Sequence, residues 1–294
     1  MKNALCTWQI DATLGEGPTW VPGEQAIYWV DIEQRNVHRL GAAGKKTSWH
    51  IDQQITSLAP RAGGGFIATT RHGFAFLELE SGPDLETSSV EMICEPEANQ
   101  PGNRFNDGKV DGHGRFWAGS MDESEEAPSG ALYRLDADLT LTEIESGYCI
   151  SNGPAFSPDG ATLYHAESTR GEVYAYALED DGTVADKRVF VTLGDGEGVP
   201  DGMTTDREGN LWLCHFGGAC VSCLSPAGRR LERIELPVPN VTSCCFGGPN
   251  LDTLFITTAR FLMSDEALGR HPLAGSLFTI RPGATGLEPT LFAG

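Results

Sequence analysis

The sequence lacks several features that would identify a membrane-spanning or secreted protein. Its 294 residues contain no apolar run long enough to cross a membrane. The start, "MKNALCTWQIDATLGEG", has neither the basic segment, the apolar stretch nor the small-residue cleavage site of a secretory signal. We therefore expect a cytoplasmic protein whose 8 cysteines are thiols. Helical periodicity is also missing, apart from one or two turns at "SDEALGRH".

Basic residues are scarce. Lysine and arginine together number 21 against 41 aspartates and glutamates, which gives a formal net charge of −20. Such a charge repels nucleic-acid phosphates and anionic lipids, so we expect neither nucleic acid nor membrane as a partner. It also raises the local concentration of cations. A monomer is the expected state, since no feature of the sequence indicates otherwise.

What the sequence does contain is one pattern that recurs six times. "NDGKVDGHGRFWAGS", "NGPAFSPDGATLYHAES" and "DGMTTDREGNLWLCHF" each join a polar residue, a short strand, a turn and an aromatic second strand, which is typical of a hairpin. More degenerate copies begin at Glu16, Thr56 and Thr242. The spacings of 40, 50, 46, 49 and 41 residues match the ~40–50 residues of a four-stranded propeller blade. The sequence therefore predicts an all-β fold, a single six-bladed β-propeller domain over residues 1–294.

Each repeat starts with an oxygen-bearing side chain, which we call the anchor of the blade. First strands line the central channel of a propeller, so the anchors should converge. "ALCTWQI" at the N-terminus is expected to pair with the last blade, because an open ring would leave an unpaired edge. The anchors are Glu16, Thr56, Asn106, Asn152, Asp201 and Thr242.

Carboxylates and carboxamides that meet in a dry channel would be costly without a cation. A divalent metal ion is the simplest resolution. Hard oxygen ligands suit Ca²⁺, Mg²⁺ or Mn²⁺, and Zn²⁺ can also occupy an oxygen site. Three or four protein ligands would leave positions open for water and substrate, as in catalytic sites.

Several motifs of the chain resemble those of a known family. "GEGPTW", "NRFNDGKVDGHGRFWAG", "ISNGPAFSPDG", "VPDGMTTDREGNLW" and "TSCCFGGPNLDTLFITTAR" are similar to motifs of the regucalcin (senescence marker protein), gluconolactonase and luciferin-regenerating family of six-bladed propellers. The resemblance runs from about residue 11 to the C-terminus. The tail "TARFLMSDEALGRHPLAGSLF" is most similar to the bacterial sugar-acid lactonases of that family.

The resemblance implies roles for individual residues. A divalent metal would be held by Glu16, Asn152 and Asp201. Substrate contacts carry over to Arg104 and Asn106, and an acidic contact falls on Asp122 or Glu123, between which the alignment does not choose. The implied substrate is a small sugar-acid lactone, such as a glucono-, xylono- or arabinonolactone.

Lactone hydrolysis at a metal needs no nucleophilic serine, and the sequence has no G-x-S-x-G elbow. Asp201 is the best-placed general base by hypothesis, because one carboxylate oxygen can hold the metal while the other accepts a proton from water. Asp107 is interpreted as a turn cap or as a partner of Arg104. Two alternatives remain: a calcium-binding or buffering protein without turnover, and a protein-interaction platform. An arginine beside the site favours the lactonase, since it would repel a cation.

Overall fold

The structure is a computed structural model that describes residues 3–81 and 86–294. In those residues, 24 strands form six four-stranded sheets. Consecutive strands within a sheet are antiparallel neighbours, and the six sheets follow one another as blades around an axis. The six-bladed propeller predicted from the repeat is confirmed. That residues 1–294 form one domain stays a prediction.

The element bounds follow the repeat. The first strand is β1 (Leu5–Trp8). Blade 1 contains β2 (Gly15–Val21), β3 (Ala26–Asp31), β4 (Asn36–Gly41) and β5 (Lys46–His50). Blade 2 contains β6 (Ile55–Pro60), β7 (Phe66–Thr70), β8 (Phe74–Ser81) and β9 (Glu86–Cys94). Blade 3 contains β10 (Asn103–Val110), β11 (Phe116–Asp122), β12 (Gly130–Leu135) and β13 (Leu141–Tyr148).

Blade 4 contains β14 (Ser151–Phe156), β15 (Thr162–Glu167), β16 (Glu172–Leu178) and β17 (Val184–Thr192). Blade 5 contains β18 (Val199–Thr205), β19 (Leu211–Phe216), β20 (Cys220–Leu224) and β21 (Arg230–Glu235). Blade 6 contains β22 (Val241–Gly247), β23 (Thr253–Thr258) and β24 (Leu277–Ile280). Helical structure in the described residues is limited to two 3₁₀ turns, Pro22–Glu24 and Ser168–Arg170, and the helix α1 (Asp265–Arg270). The predicted short helix is confirmed.

The N-terminal strand closes the ring. Strand β1 pairs antiparallel with β24, and the hydroxyl groups of Thr7 and Thr279 lie 2.6 Å apart across the pair. Blade 6 thus takes its fourth strand from the other end of the chain. The predicted role of the N-terminal segment is confirmed.

Two hairpin turns show how the repeat specifies its own geometry. Asp111 accepts hydrogen bonds from two backbone N–H groups of its turn through Oδ1, and its Oδ2 accepts from Trp117 Nε1 at 2.8 Å. In blade 5, Asp206 Oδ1 likewise accepts from two backbone N–H groups of its turn, and its Oδ2 accepts from Trp212 Nε1 at 2.9 Å. The Asp-to-Trp spacing therefore fixes the turn and orients a fully buried indole between blades.

The core lies between neighbouring blades and is mainly apolar. His165 and His215 are fully buried in second strands, where Ser151 Oγ lies 2.8 Å from the His165 ring. Cys220, Cys223 and the Cys244-Cys245 pair are buried free thiols, as expected. These residues stabilise the scaffold.

The chain ends in a segment that crosses the propeller face remote from the N-terminal ends of the inner strands. We call residues 285–294 the C-terminal strap. Its first part is attached to blades 5 and 6, since Gly286 bridges Asp206 and donates its N–H to Leu251 O. Its last part is attached to blade 2, where Phe292 bridges Arg61 and is fully buried. The strap therefore ties opposite sides of the ring together.

Candidate active site

A local irregularity places the anchors in the channel. In all six inner strands the pairing register shifts at or next to the anchor, as in a β-bulge, which leaves residues unpaired and turns their side chains. The shifts fall at Glu16/Thr19, Ile55/Ser57, Phe105/Gly108, Asn152/Ala155, Pro200/Met203 and Val241/Cys244. The repeat thus carries a bulge at the position of each anchor.

Two buried carboxyl groups face each other in the channel. Glu16 and Asp201 are 6% and 5% exposed. Burial raises the pKa of Glu16 well above its usual range, and the charges of Asp201 and Asp107 raise it further. Burial and Asp107 likewise raise the pKa of Asp201. Such a cluster is stabilised either by protonation of its carboxyl groups or by a bound cation.

Two amides complete the cluster. Asn106 Nδ2 donates to Asn152 Oδ1 at 2.8 Å and to Ser151 O at 2.9 Å. Asn152 hydrogen-bonds Asp201 and donates to Ser168 Oγ at 3.0 Å. The structure therefore brings the predicted ligands together, although they are separated by up to 185 residues in the chain, from Glu16 to Asp201.

Arg104 contributes a buried cation to the same site. Its Nη1 donates to Asn106 Oδ1 at 2.7 Å and to Phe105 O at 3.0 Å, both of which are neutral oxygens. Burial lowers the pKa of Arg104, and the charges of Glu33, Glu123 and Glu16 oppose that effect. The arginine is held by Asn106 rather than by Asp107, which differs from the interpretation of Asp107 given above.

Asp107 belongs to the cluster, and the sequence reasoning missed it. Its Oδ1 accepts from Gly108 N at 2.7 Å, and burial raises its pKa. It precedes a glycine, as Glu16, Asn152 and Asp201 also do. That shared residue-glycine pair was the available signal in the sequence. By strand register, however, Asn106 is the repeat equivalent of Asp201, because each directly follows the last paired residue before its bulge. Asp107 is therefore an additional carboxylate of blade 3.

The two threonine anchors have local hydrogen-bonding roles. Thr242 Oγ1 donates to Gly15 O at 2.6 Å and thereby joins blade 6 to blade 1. Thr56 Oγ1 lies 2.7 Å from Thr69 Oγ1 within blade 2. Their oxygens are engaged in the scaffold, so the polar cluster is formed by the anchors of the other four blades, 1, 3, 4 and 5.

Asp122 and Glu123 lie at the rim, where their environments differ. Asp122 Oδ2 accepts from Ser124 Oγ and from two backbone N–H groups of the following loop, which holds its pKa well below its usual range. Glu123 is paired with Arg71 of blade 2, with Nη2 and Oε2 2.6 Å apart. Glu123 is half-exposed, and its pKa is lowered first by the hydrogen bond from Arg71 and further by the charges of Arg71 and Arg104. Of the two, Glu123 has the carboxylate that is not committed to the loop backbone.

The donor set constrains what the cluster can bind. In residues 3–81 and 86–294, no three His, Cys, Asp or Glu side chains form a group that could hold a metal ion. A metal here would therefore need the amide oxygen of Asn152 beside the two carboxylates. That set is all oxygen and fits a hard divalent ion.

Comparison with known proteins decides the family. The model of the SMP-30/Gluconolactonase/LRE-like region matches residues 14–260. The chain belongs to this family. Among curated family relatives, 6-deoxy-6-sulfogluconolactonase of Pseudomonas putida is 35% identical over 295 residues, covering 100% of this chain and 99% of the relative. Regucalcin of Xenopus laevis is 34% identical over 290 residues, covering 96% of this chain and 95% of the relative.

Solved structures of family members agree with the fold. The calcium-binding protein regucalcin from Agrobacterium tumefaciens superposes with a TM-score of 0.91 at 26% identity, covering 99% of this chain and 97% of the other. A luciferin-regenerating enzyme superposes with a TM-score of 0.89 at 30% identity, covering 98% and 99%. The resemblance stated from the motifs is confirmed. No helix in the described part of the chain is long and apolar enough to span a membrane.

Proposed function

We propose that this protein hydrolyses a sugar-acid lactone to the free acid with the help of one bound divalent metal ion. The observation that carries the proposal is the cluster of Glu16, Asn152 and Asp201 beside the buried guanidinium of Arg104. Membership of a family that includes a 6-deoxy-6-sulfogluconolactonase supports the lactone as substrate. The proposed substrate is a five- or six-carbon aldonolactone, and the proposed ion is Ca²⁺, Mg²⁺, Mn²⁺ or Zn²⁺.

The buried carboxylates fit a metal because they repel each other. Burial and the neighbouring Asp107 raise the pKa of both Glu16 and Asp201, so a divalent ion would relieve a cost that the protein already bears. When bound, such an ion supplies a Lewis acid for the lactone carbonyl and a water of lowered pKa. Glu16, Asn152 and Asp201 would hold it.

The side chains around the cluster have distinct tasks. Asp201 takes the proton of the attacking water, because one of its carboxylate oxygens can hold the metal while the other accepts the proton. Arg104 donates to substrate hydroxyls or to the new carboxylate. Asn106 fixes the Arg104 guanidinium through its Oδ1 and the Asn152 amide through its Nδ2, so it positions both.

The test is a panel of five- and six-carbon aldonolactones, followed by acid release with a pH indicator, with and without chelator and with each metal restored. We expect a rate above spontaneous ring opening that disappears with chelator and returns with metal. Asp201→Asn should abolish turnover while it only weakens metal binding measured by calorimetry. Asp206→Asn, which alters a buried turn aspartate, is the matched control and should retain turnover in the folded protein.

A calcium-binding function without turnover is the second candidate, supported by regucalcin relatives. Arg104 distinguishes the two, because a guanidinium beside a cation site weakens cation binding and is useful only for a ligand with hydroxyls or negative charge. Tight calcium binding with no metal-dependent hydrolysis of any aldonolactone would favour this second function. Asp201→Asn that loses metal and turnover together would leave Asp201 as a ligand alone.

A further inference from the structure

An ion pair joins blades 2 and 3 at the mouth of the candidate active site. Arg71 follows β7 and Glu123 follows β11, and both strands end on the face where the inner strands begin. The two Nη groups of Arg71 donate to the two Oε atoms of Glu123, with Nη2 and Oε2 2.6 Å apart. A guanidinium that donates two parallel hydrogen bonds to a carboxylate fixes the plane of that carboxylate.

Backbone hydrogen bonds place this pair beside Arg104. Phe105 N donates to Arg71 O at 3.0 Å, and Glu123 N donates to Gly102 O at 2.9 Å. The segment from Gly102 to Phe105 therefore holds the backbone of both residues, and Arg104 lies within that segment. The position of the ion pair is thus set by the same stretch of chain that carries the buried guanidinium of the site.

The charge at this rim is mainly negative. The hydrogen bond to Glu123 raises the pKa of Arg71, and the charges of Glu123 and Glu33 raise it further. Burial lowers the pKa of Arg104, and the charge of Glu33 is the largest of those that oppose this effect. The carboxylates that act on Arg104 from exposed positions come from blades 1 and 3 and are Glu33, Glu123 and Glu125.

The depth of the carboxylate cluster decides which end of a lactone meets this rim. Glu16 and Asp201 are buried, whereas the side chains of Arg71 and Glu123 are 27% and 42% exposed. A lactone whose carbonyl lies at the cluster would extend its remote carbon toward the rim. An ionised carboxylate has about four lone-pair sites, so Glu123 can accept from Arg71 and still accept from a substrate hydroxyl.

An anionic group at the same place would be repelled. Glu123 would lie against it, and like charges brought together cost binding free energy. Arg71 on its own would attract such a group, but both of its Nη groups are engaged by Glu123. The rim therefore favours a neutral, hydroxyl-bearing end of the substrate.

We propose that Arg71 is a specificity-determining residue, which fixes the Glu123 carboxylate at the rim so that the site favours an uncharged aldonolactone over one with an anionic group on its remote carbon. This inference rests on the proposed lactonase function and adds the charge of the substrate to it. Arg71 acts through Glu123 and is in that sense a positioning residue.

The test compares gluconolactone with its phosphate ester on the terminal carbon, in the metal-loaded full chain, by acid release. We expect a higher kcat/KM for gluconolactone. Glu123→Gln removes the charge and frees Arg71, so the kcat/KM of the ester relative to that of gluconolactone should rise about tenfold or more. Glu126→Gln removes the same charge from an exposed position in the same loop and should change this ratio far less.

Variants of Arg71 test the positioning role. Arg71→Met leaves Glu123 charged but unheld, so the KM for gluconolactone should rise, kcat should change less than KM, and the relative kcat/KM of the ester should fall. Arg71→Lys keeps the charge and loses the two-fold hydrogen bonding, so it should keep the ratio and still raise the KM.

A matched ion pair provides the control. Arg39 and Glu24 of blade 1 are paired with side chains 19% and 45% exposed, so Arg39→Met breaks an ion pair of similar exposure. It should leave the KM and the ratio unchanged. Because exposed ion pairs contribute only ~0.2–1 kcal/mol, Arg71→Met should melt close to the unaltered chain, and a change in KM then reports on the site.

Three outcomes would overturn the inference and leave the lactonase function standing. The unaltered chain could hydrolyse the phosphate ester as efficiently as gluconolactone, Glu123→Gln and Glu126→Gln could shift the ratio alike, or Arg71→Met and Arg39→Met could have the same KM. A chain that hydrolyses no aldonolactone, charged or uncharged, would overturn the lactonase function and this inference together.

Discussion

Glu16→Gln tests the repulsion within the carboxylate cluster most directly, because it removes one negative charge and changes the size of the side chain little. Gln can still accept the hydrogen bond that Gly17 N donates to Glu16 Oε2 at 2.9 Å. It removes the repulsion that Asp201 and Asp107 exert on a buried carboxylate. In the metal-free protein we therefore expect a melting temperature equal to or above that of the unaltered chain.

The effect of metal should be opposite. An ion at 100 times its dissociation constant stabilises the folded state by about 2.7 kcal/mol. A chain of 294 residues has an unfolding entropy of about 0.6 kcal/mol/K near its melting temperature. The unaltered protein should therefore gain roughly 4 °C on metal addition, and Glu16→Gln should lose that gain.

The pH dependence has a defined sign. The pKa of Glu16 is raised in the folded state, so its protonated form stabilises the fold. This contribution to the free energy of unfolding is fully present below the pKa of Glu16 in the unfolded chain, and it is lost as the pH rises through the pKa of Glu16 in the folded protein. Metal-free protein should thus lose stability as pH rises above 4.5, the ordinary value, and Glu16→Gln should lose less.

Scanning calorimetry at several pH values, with and without metal, measures the metal-free melting temperature, its gain on metal addition and its dependence on pH. Glu97→Gln is the matched control, since Glu97 is equally buried but accepts from Asn103, Ser120 and Tyr133. It should lower the melting temperature and keep the metal gain. The reasoning fails if Glu16→Gln retains the metal gain, or if its metal-free form is destabilised as much as Glu97→Gln.

Three further predictions concern the scaffold and the rim. Phe292→Ala should cost about 3–5 kcal/mol in the free energy of unfolding by denaturant, because the ring is fully buried, whereas the half-exposed Leu291→Ala should cost far less. Burial lowers the pKa of His38 to about 4, so stability should fall by about 3 kcal/mol as pH drops from 6.5 to 4, and His38→Gln should flatten that fall. Asp122→Ala should lower the melting temperature, because the Asp122 carboxylate holds the following loop through its backbone N–H groups. Glu123→Ala should change the melting temperature little, because its ion pair with Arg71 is exposed, and it should raise the KM for the proposed lactone. Equal melting temperatures for the two variants would contradict the assignment.

The propeller could be predicted because its information is local and repeated. A turn aspartate such as Asp111 and a tryptophan six residues later recur at Asp206 and Trp212, and each copy determines its hairpin without help from distant residues. The anchors of blades 1, 3, 4 and 5 could be predicted for the same reason. Ring closure followed from the need to cover a sheet edge.

What the sequence could not show depends on contacts between blades. Thr242 looks like an anchor in the sequence, and only the approach of Gly15 reveals that its hydroxyl is engaged in joining two blades. Glu123 separates from Asp122 only because Arg71, from another blade, lies opposite. Asp107 could have been found from the glycine that follows it, a feature that it shares with Glu16, Asn152 and Asp201.

The attachment of both chain ends has a consequence for synthesis. Strand β1 finds its partner only in β24, and Phe292, two residues before the last, fills a core between blades 2 and 3. A nascent chain that has not yet reached β24 can form single blades but cannot complete the circle. Native assembly must therefore wait until β24 and Phe292 have both emerged from the ribosome.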